Sequence, residues 1–208
     1  MHRAIRRTSI AALCTATLVA ACSKSENNAD STRMADSAAM AAPAPAGSNA
    51  TSAAPTLTDP NIVAIVDEAN RADSAAGNVA ATKGTNSEVK SFGRDMMRDH
   101  HALRKMGQDL AKKLNVTPQM PPNDSSQAKD NAWVDSLNAM PKGTAFDKAY
   151  IDHEVGVHQQ VLSTLQTAQG AAQNAELKDL ITKAIPTIQS HLKKAQDIQS
   201  KLQSASSQ

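Results

Sequence analysis

Ser87-Glu88-Val89-Lys90-Ser91-Phe92-Gly93-Arg94-Asp95-Met96-Met97-Arg98-Asp99-His100-His101-Ala102-Leu103 decides the fold. Carried on to Leu114, it returns an apolar or small residue alternately every four and every three positions: Val89, Gly93, Met96, then His100, then Leu103, Gly107, Leu110 and Leu114. That alternation is the seam of a helix packed in a bundle. The residues between are mostly charged or amide-bearing, so the opposite face belongs in water. No segment of the chain shows the period of two that a half-buried strand requires.

Three more seams lie around this one. The first predicted helix is capped by Asp59, has Pro60 at its first position and runs to about Lys83 before Gly84; its seam is Ile62, Val66, Ala69, Asp73, Ala76 and Ala80. The quoted helix starts at Thr85-Asn86-Ser87-Glu88, which reads as a capping box. Pro118, Pro121 and Pro122 force an extended connection, followed by a short helix near Gln127 to Met140 that Pro141 and Gly143 end. A third long helix runs from about Thr144 to before Gly170, with seam Ile151, Val155, His158, Leu162 and Leu165. A fourth runs from about Asn174 to Leu202, with seam Leu177, Ile181, Ala184, Ile188, His191, Ala195, Ile198 and Leu202. The expectation is an all-α, ferritin-like, up-down-up-down four-helix bundle over residues 58–204, with a short extra helix between the second and third long helices.

Each seam carries one ionisable residue near its middle: Asp73, His100, His158 and His191. Counted from the end holding the turns at Gly84 and Gly170, the histidines fall within ~9 Å of one another along the axis at ~1.5 Å per residue. Three imidazoles and a carboxylate converging in a dry core would suit a divalent transition metal, with zinc, copper, nickel and iron all compatible by ligand type. Met96, one turn before His100, could add a soft ligand for copper, although Met96, Met97 and Met106 also serve as ordinary core filler. The competing interpretation makes each histidine a hydrogen-bonded core residue, with Asp73 pairing one of them. His101 points off the seam toward water, and His153 sits at an intermediate position. Pro186 should kink the last helix about a turn before His191.

Residues 1–21 have Arg3, Arg6 and Arg7, no acid, and an apolar run of a dozen residues ending at Ala21. Twelve helical residues span only ~18 Å, too short for the ~30 Å hydrocarbon layer, so an export signal is expected rather than a permanent span. Leu18-Val19-Ala20-Ala21-Cys22 resembles the lipobox of bacterial lipoproteins, which implies cleavage before Cys22 and a lipid on its thiol; an ordinary secretory signal, with Cys22 incidental, is the alternative. Two or three acyl chains anchor a protein stably. Ser23 rather than Asp after the cysteine implies, by resemblance to the Gram-negative sorting rule, the periplasmic face of the outer membrane. Residues 22–57, rich in Ala, Ser, Asn and Pro, cannot bury enough surface to offset chain entropy and are expected to form a disordered tether.

Removing three arginines from a formal charge of +2 leaves a mature chain near −1, with no basic tract, so nucleic acid is not an expected partner. Cys14 leaves with the signal and Cys22 takes lipid, so no thiol remains for a disulfide, a thiolate metal site or a nucleophile. No serine-histidine-acid set, phosphate loop or haem-attachment motif is legible, and the reading places an enzyme behind a binding or structural protein.

Three separated motifs, Val89 to His100, Ala145-Phe146-Asp147-Lys148-Ala149-Tyr150 leading to His158-Gln159, and Ile185-Pro186-Thr187-Ile188-Gln189-Ser190-His191-Leu192, resemble the "domain of unknown function 4142" family of bacterial envelope proteins. The resemblance implies a ferritin-like bundle and export, and no established activity. Asp73 stands where that family usually has glutamate, and Val157 where it has an acid. A ferritin-type di-iron centre needs two Glu-x-x-His pairs. None is present, so ferroxidase chemistry is not expected. The functional expectations are a tethered bundle binding a metal or small ligand at the histidine layer, or a structural or stress-related envelope protein with no ligand.

Overall fold

A computed structural model describes residues 57–206. The export signal, Cys22 and nearly all of the tether lie outside the described residues. Leu57, the last residue assigned to the tether, packs half-buried against the core. Five helices form: α1 (Asp59–Lys83), α2 (Ser87–Lys113), α3 (Ser126–Ala139), α4 (Thr144–Ala171) and α5 (Ala175–Ser206). The described residues contain no strand. The all-α bundle with a short additional helix is therefore as the sequence predicts, and no described helix is long and apolar enough to cross a membrane.

Chain direction departs from simple alternation. Asp147 at the start of α4 accepts bonds from the Thr85 and Asn86 backbone at the start of α2, 3.0 and 2.8 Å, so these two helices begin at the same end. Asp59 at the start of α1 accepts from the backbone of Gln173 and Asn174 in the α4–α5 turn, 2.8 and 3.0 Å, at the opposite end. The order is thus up, down, down, up, and the turns near Gly84 and Gly170 are at opposite ends rather than one. The reason is α3, which carries the chain back along α1 to the upper end. There Lys83 Nζ donates to the carbonyls of Leu137, Asn138 and Met140 and covers the exposed C-terminus of α3.

Two caps differ from expectation by one residue each. Thr58, not Asp59, caps α1, with Asn61 returning the bond to complete a capping box. Asn86 caps α2 through bonds from the Glu88 and Val89 backbone, while Thr85 turns to Asp147. In both cases the residue first read as a cap is used for a contact distant in sequence. Gly170 lies inside α4, which ends one residue later.

Close approach of α1 and α2 depends on two glycines. A Cβ on Gly93 would stand 2.6 Å from the Gly77 carbonyl oxygen, and one on Gly77 would stand 2.7 Å from that of Gly93. The core itself is in two parts. Phe92, Met96, Phe146, Tyr150, Ile151 and Ile198 belong to the upper cluster, and Ile62, Leu103, Leu165, Ile181 and Ile188 to the lower. On every long helix a buried polar residue lies between the two clusters: Asp73, His100, His158 and His191.

Candidate functional site: a buried histidine triangle

The real topology brings the polar seam positions to one level. Asp73 is ten residues below the upper end of α1, His100 thirteen below that of α2 and His158 fourteen below that of α4. His191 reaches the same level on α5, where its Nε2 is 3.0 Å from Asp99 on α2. All four seam residues are at most 5% exposed. The imidazole centroids are 5.6 Å apart for His100 and His158, 5.1 Å for His100 and His191, and 5.6 Å for His158 and His191. One ring nitrogen from each lies within 4.8 Å of the other two.

Hydrogen bonding on the outer side of each ring fixes the proton. His191 Nε2–H donates to the Asp99 carboxylate. His158 Nδ1–H donates to the Glu154 carbonyl oxygen at 2.9 Å. Asn70 uses its amide nitrogen on the Val66 carbonyl, so its Oδ1 accepts from His100 Nδ1–H at 2.9 Å. Each imidazole has only one proton when neutral, so the remaining nitrogens, His100 Nε2, His158 Nε2 and His191 Nδ1, present lone pairs. These three atoms are buried and have no hydrogen-bond partner. Burial holds His100 well below the ordinary imidazole range, helped by the neighbouring histidines, and lowers His158 to about 4. The His100 and His158 lone pairs are therefore free at neutral pH.

Carboxylates stand behind the rings. Asp73 Oδ2 is 3.5 Å from His100 Nδ1, Glu154 Oε2 is 3.4 Å from His158 Nδ1, and Asp99 holds His191. Asp73 thus reaches the layer but sits on the outer side of His100, away from the unpartnered Nε2. Burial, reinforced by the charge of Asp130, raises its carboxyl to about 8. Burial and then Asp73 push Glu154 well above the usual range. Both Glu154 oxygens and the Tyr150 hydroxyl lack a hydrogen-bond partner among the described residues; the hydroxyl is near enough to feel the Glu154 charge without meeting hydrogen-bond distance and angle. Met96 packs in the upper apolar cluster, His101 is exposed, and His153 stacks on Trp133 with centroids 4.0 Å apart.

Asn70 carries no signal in the sequence as a histidine partner, although it lies one turn before Asp73, and Glu154 with His158 reads only as a one-turn pair of the kind common on exposed helix faces; the structure buries both behind the rings. Asp95 and Asp99, one turn apart, read in the sequence as a pair of the kind common on exposed helix faces, yet the bond of Asp99 to His191 joins α2 to α5.

An all-α bundle whose core is interrupted by a buried tri-histidine layer is the class of protein these features define. Residues 21–198 match the domain of unknown function DUF4142, and the chain belongs to that family. Among solved structures, CopM in the Cu(II)-bound form shares the fold, with a TM-score of 0.54 and 15% identity, over 70% of this chain and 98% of that one. No curated protein matches the sequence.

Proposed function

We propose that the protein is a lipid-tethered cell-envelope bundle that binds one divalent transition-metal ion through His100 Nε2, His158 Nε2 and His191 Nδ1. The observation that supports it is three buried ring nitrogens without a hydrogen-bond partner, on three histidines that each bring a ring nitrogen to within 4.8 Å of the others. A single bridging water has only two protons to offer, so it would leave at least one of the three nitrogens unsatisfied. A cation satisfies all three. An ion with bonds of ~2.0 to 2.1 Å holds its nitrogens ~3.3 to 3.6 Å apart, so the triangle needs to contract by roughly 1 Å along its longest edge. Asp99 holds His191 from behind, and Asp73 and Glu154 stand by the other two rings, an arrangement that orients imidazole ligands and raises their basicity.

Three neutral imidazoles without a thiolate suit copper(II), zinc or nickel. The fold shared with CopM, whose structure is of a Cu(II)-bound form, makes copper(II) the first ion to test. The anchor at Cys22 and the outer-membrane location belong to the same proposal and rest on the sequence of residues 1–23. Elemental analysis and calorimetric titration of the chain from Thr56 onward with copper(II), zinc and nickel provide the test. Binding tighter than about 1 µM is expected, with a ~10 °C rise in melting temperature at saturating metal and loss of both in His100→Ala and His158→Ala. Absence of binding by all three ions would leave a structural bundle of the envelope as the remaining function.

A further inference from the structure

The three rings of the triangle differ in what lies behind them. His158 is fully buried and His100 is 1% exposed. His191 is 4% exposed, and its side chain forms part of the wall of a groove between α2 and α5 with a volume of about 540 Å³. Asp99, Ala102 and Met106 of α2 and Pro186 and Thr187 of α5 also line that groove. The His191 ring centroid is 5.1 Å from that of His100 and 5.6 Å from that of His158. One imidazole therefore separates the groove from the other two.

A close-packed interior has no gap that passes an ion, so a buried site fills only where part of its wall moves. The α2–α5 wall has what that motion needs. His191 is held on its outer side by one hydrogen bond, to Asp99, and the Asp99 side chain is 27% exposed in the groove. When the ring leaves it, the carboxylate is a ligand for the arriving cation. Met106, 46% exposed, adds a thioether at the groove, a soft ligand that suits copper. Pro186, five residues before His191, has no N–H for the Thr182 carbonyl, so α5 is one backbone bond short beside the groove. The other side of the triangle is less suited. There Asp73 lines a cavity between α1, α3 and α4 and stands against the protonated Nδ1 of His100, so an ion arriving from it meets an N–H and not a lone pair.

We propose that metal ions enter and leave the histidine triangle through the α2–α5 groove, with His191 swinging off Asp99 as the gate. The route rests on the metal-binding reading of the triangle and adds to it the path of exchange.

The experiment is stopped-flow mixing of the purified protein with copper(II) chloride, followed by the absorbance of the copper–imidazole bond, and release of the ion into excess EDTA. Equilibrium titration gives Kd separately. Ala102→Phe, at an exposed position that leaves the core intact, and Thr187→Phe narrow the groove from its two sides. Each is expected to slow association and release alike, by ~10-fold or more, with Kd kept within about 2-fold, because an obstructed path raises the barrier in both directions and leaves the end states alone. Gln160→Phe, at the cavity between α1, α3 and α4, should leave both rates unchanged. Unaltered rates in the two groove variants, slowing by Gln160→Phe instead, or slowing of one rate without the other would each overturn the route while the metal reading stands. Failure of the unsubstituted protein to bind copper(II) in the equilibrium titration would overturn the metal reading for that ion and the route with it.

Discussion

His191 Nε2 donates to Asp99 Oδ2 across the α2–α5 interface at 3.0 Å, and this bond leaves the buried Nδ1 as the nitrogen without a partner. Asp99 is itself clamped by Arg98, whose guanidinium donates to both carboxylate oxygens at 2.7 and 2.9 Å. The carboxyl is correspondingly held below its ordinary range, first by Arg98. An anion held rigidly behind one ring is a positioning device for that ring. Asp99→Ala should weaken metal binding ~10- to 100-fold while leaving helix content unchanged, because Arg98 retains Asp95. Calorimetry and circular dichroism measure the two quantities, and an unaltered metal affinity would remove Asp99 from the site.

Asp73 predicts a pH dependence. Its carboxyl is at about 8 in the fold and 3.8 in an unconstrained chain, so the folded state holds a proton that the unfolded state has lost. Stability from this group is complete below the unfolded value and is lost as pH rises through the folded one. His100 and His158, held neutral in the fold, add little to the slope above about pH 7.5, a unit beyond the ordinary imidazole value, where unfolded-state imidazole has also lost its proton. With metal chelated, the protein should therefore lose stability between roughly pH 7.5 and 8.5, on the order of 1 kcal/mol per unit, and Asp73→Asn should reduce that slope. Urea denaturation at a series of pH values checks it, and parallel slopes for the two proteins would contradict the assignment.

Gly93 tests the helix contact on which the level of His100 depends. A methyl group there would meet backbone at 2.6 and 2.7 Å, and backbone cannot swing aside as a side chain can. Gly93→Ala should destabilise the fold by ~1 to 3 kcal/mol despite the better helix propensity of alanine. Gly107→Ala, with nothing within 4 Å of the added carbon, should be neutral or stabilising by up to ~1 kcal/mol. The pair of melting temperatures decides between steric and propensity effects.

Period carried most of the fold. Every one of the eight seam positions assigned to the last helix, Leu177 through Leu202, is buried, because a helix in a bundle core repeats its burial locally and the sequence shows that repeat directly. Chain direction was not legible. It depends on Asp147 reaching Thr85 and on Lys83 reaching the end of α3, contacts separated by more than fifty residues that no periodicity encodes. The histidine level survived the wrong register because moving the α4–α5 turn to the opposite end changes the end from which His158 is counted, and His158 lies near the middle of α4 either way. What the seams could not reveal is that three separate partners fix three tautomers, since Asn70 and Glu154 serve as ordinary helix residues until the rings are in place.

The strongest discrimination between a metal site and a structural polar layer comes from the sign of one stability change. His158 is fully buried, its only hydrogen bond goes to a carbonyl of its own helix, and its inner nitrogen has no partner. In the metal-free protein this ring costs desolvation and gives little back, so a residue of similar volume without polar atoms should suit the position better. His158→Leu is expected to raise the stability of the chelated protein by ~1 kcal/mol or more and to abolish stabilisation by added metal. A histidine retained for structure predicts the reverse: the substitution would lower stability with or without metal, since its bonds would be part of the packing. Melting curves of both proteins, with chelator and with copper(II), separate these outcomes in one experiment.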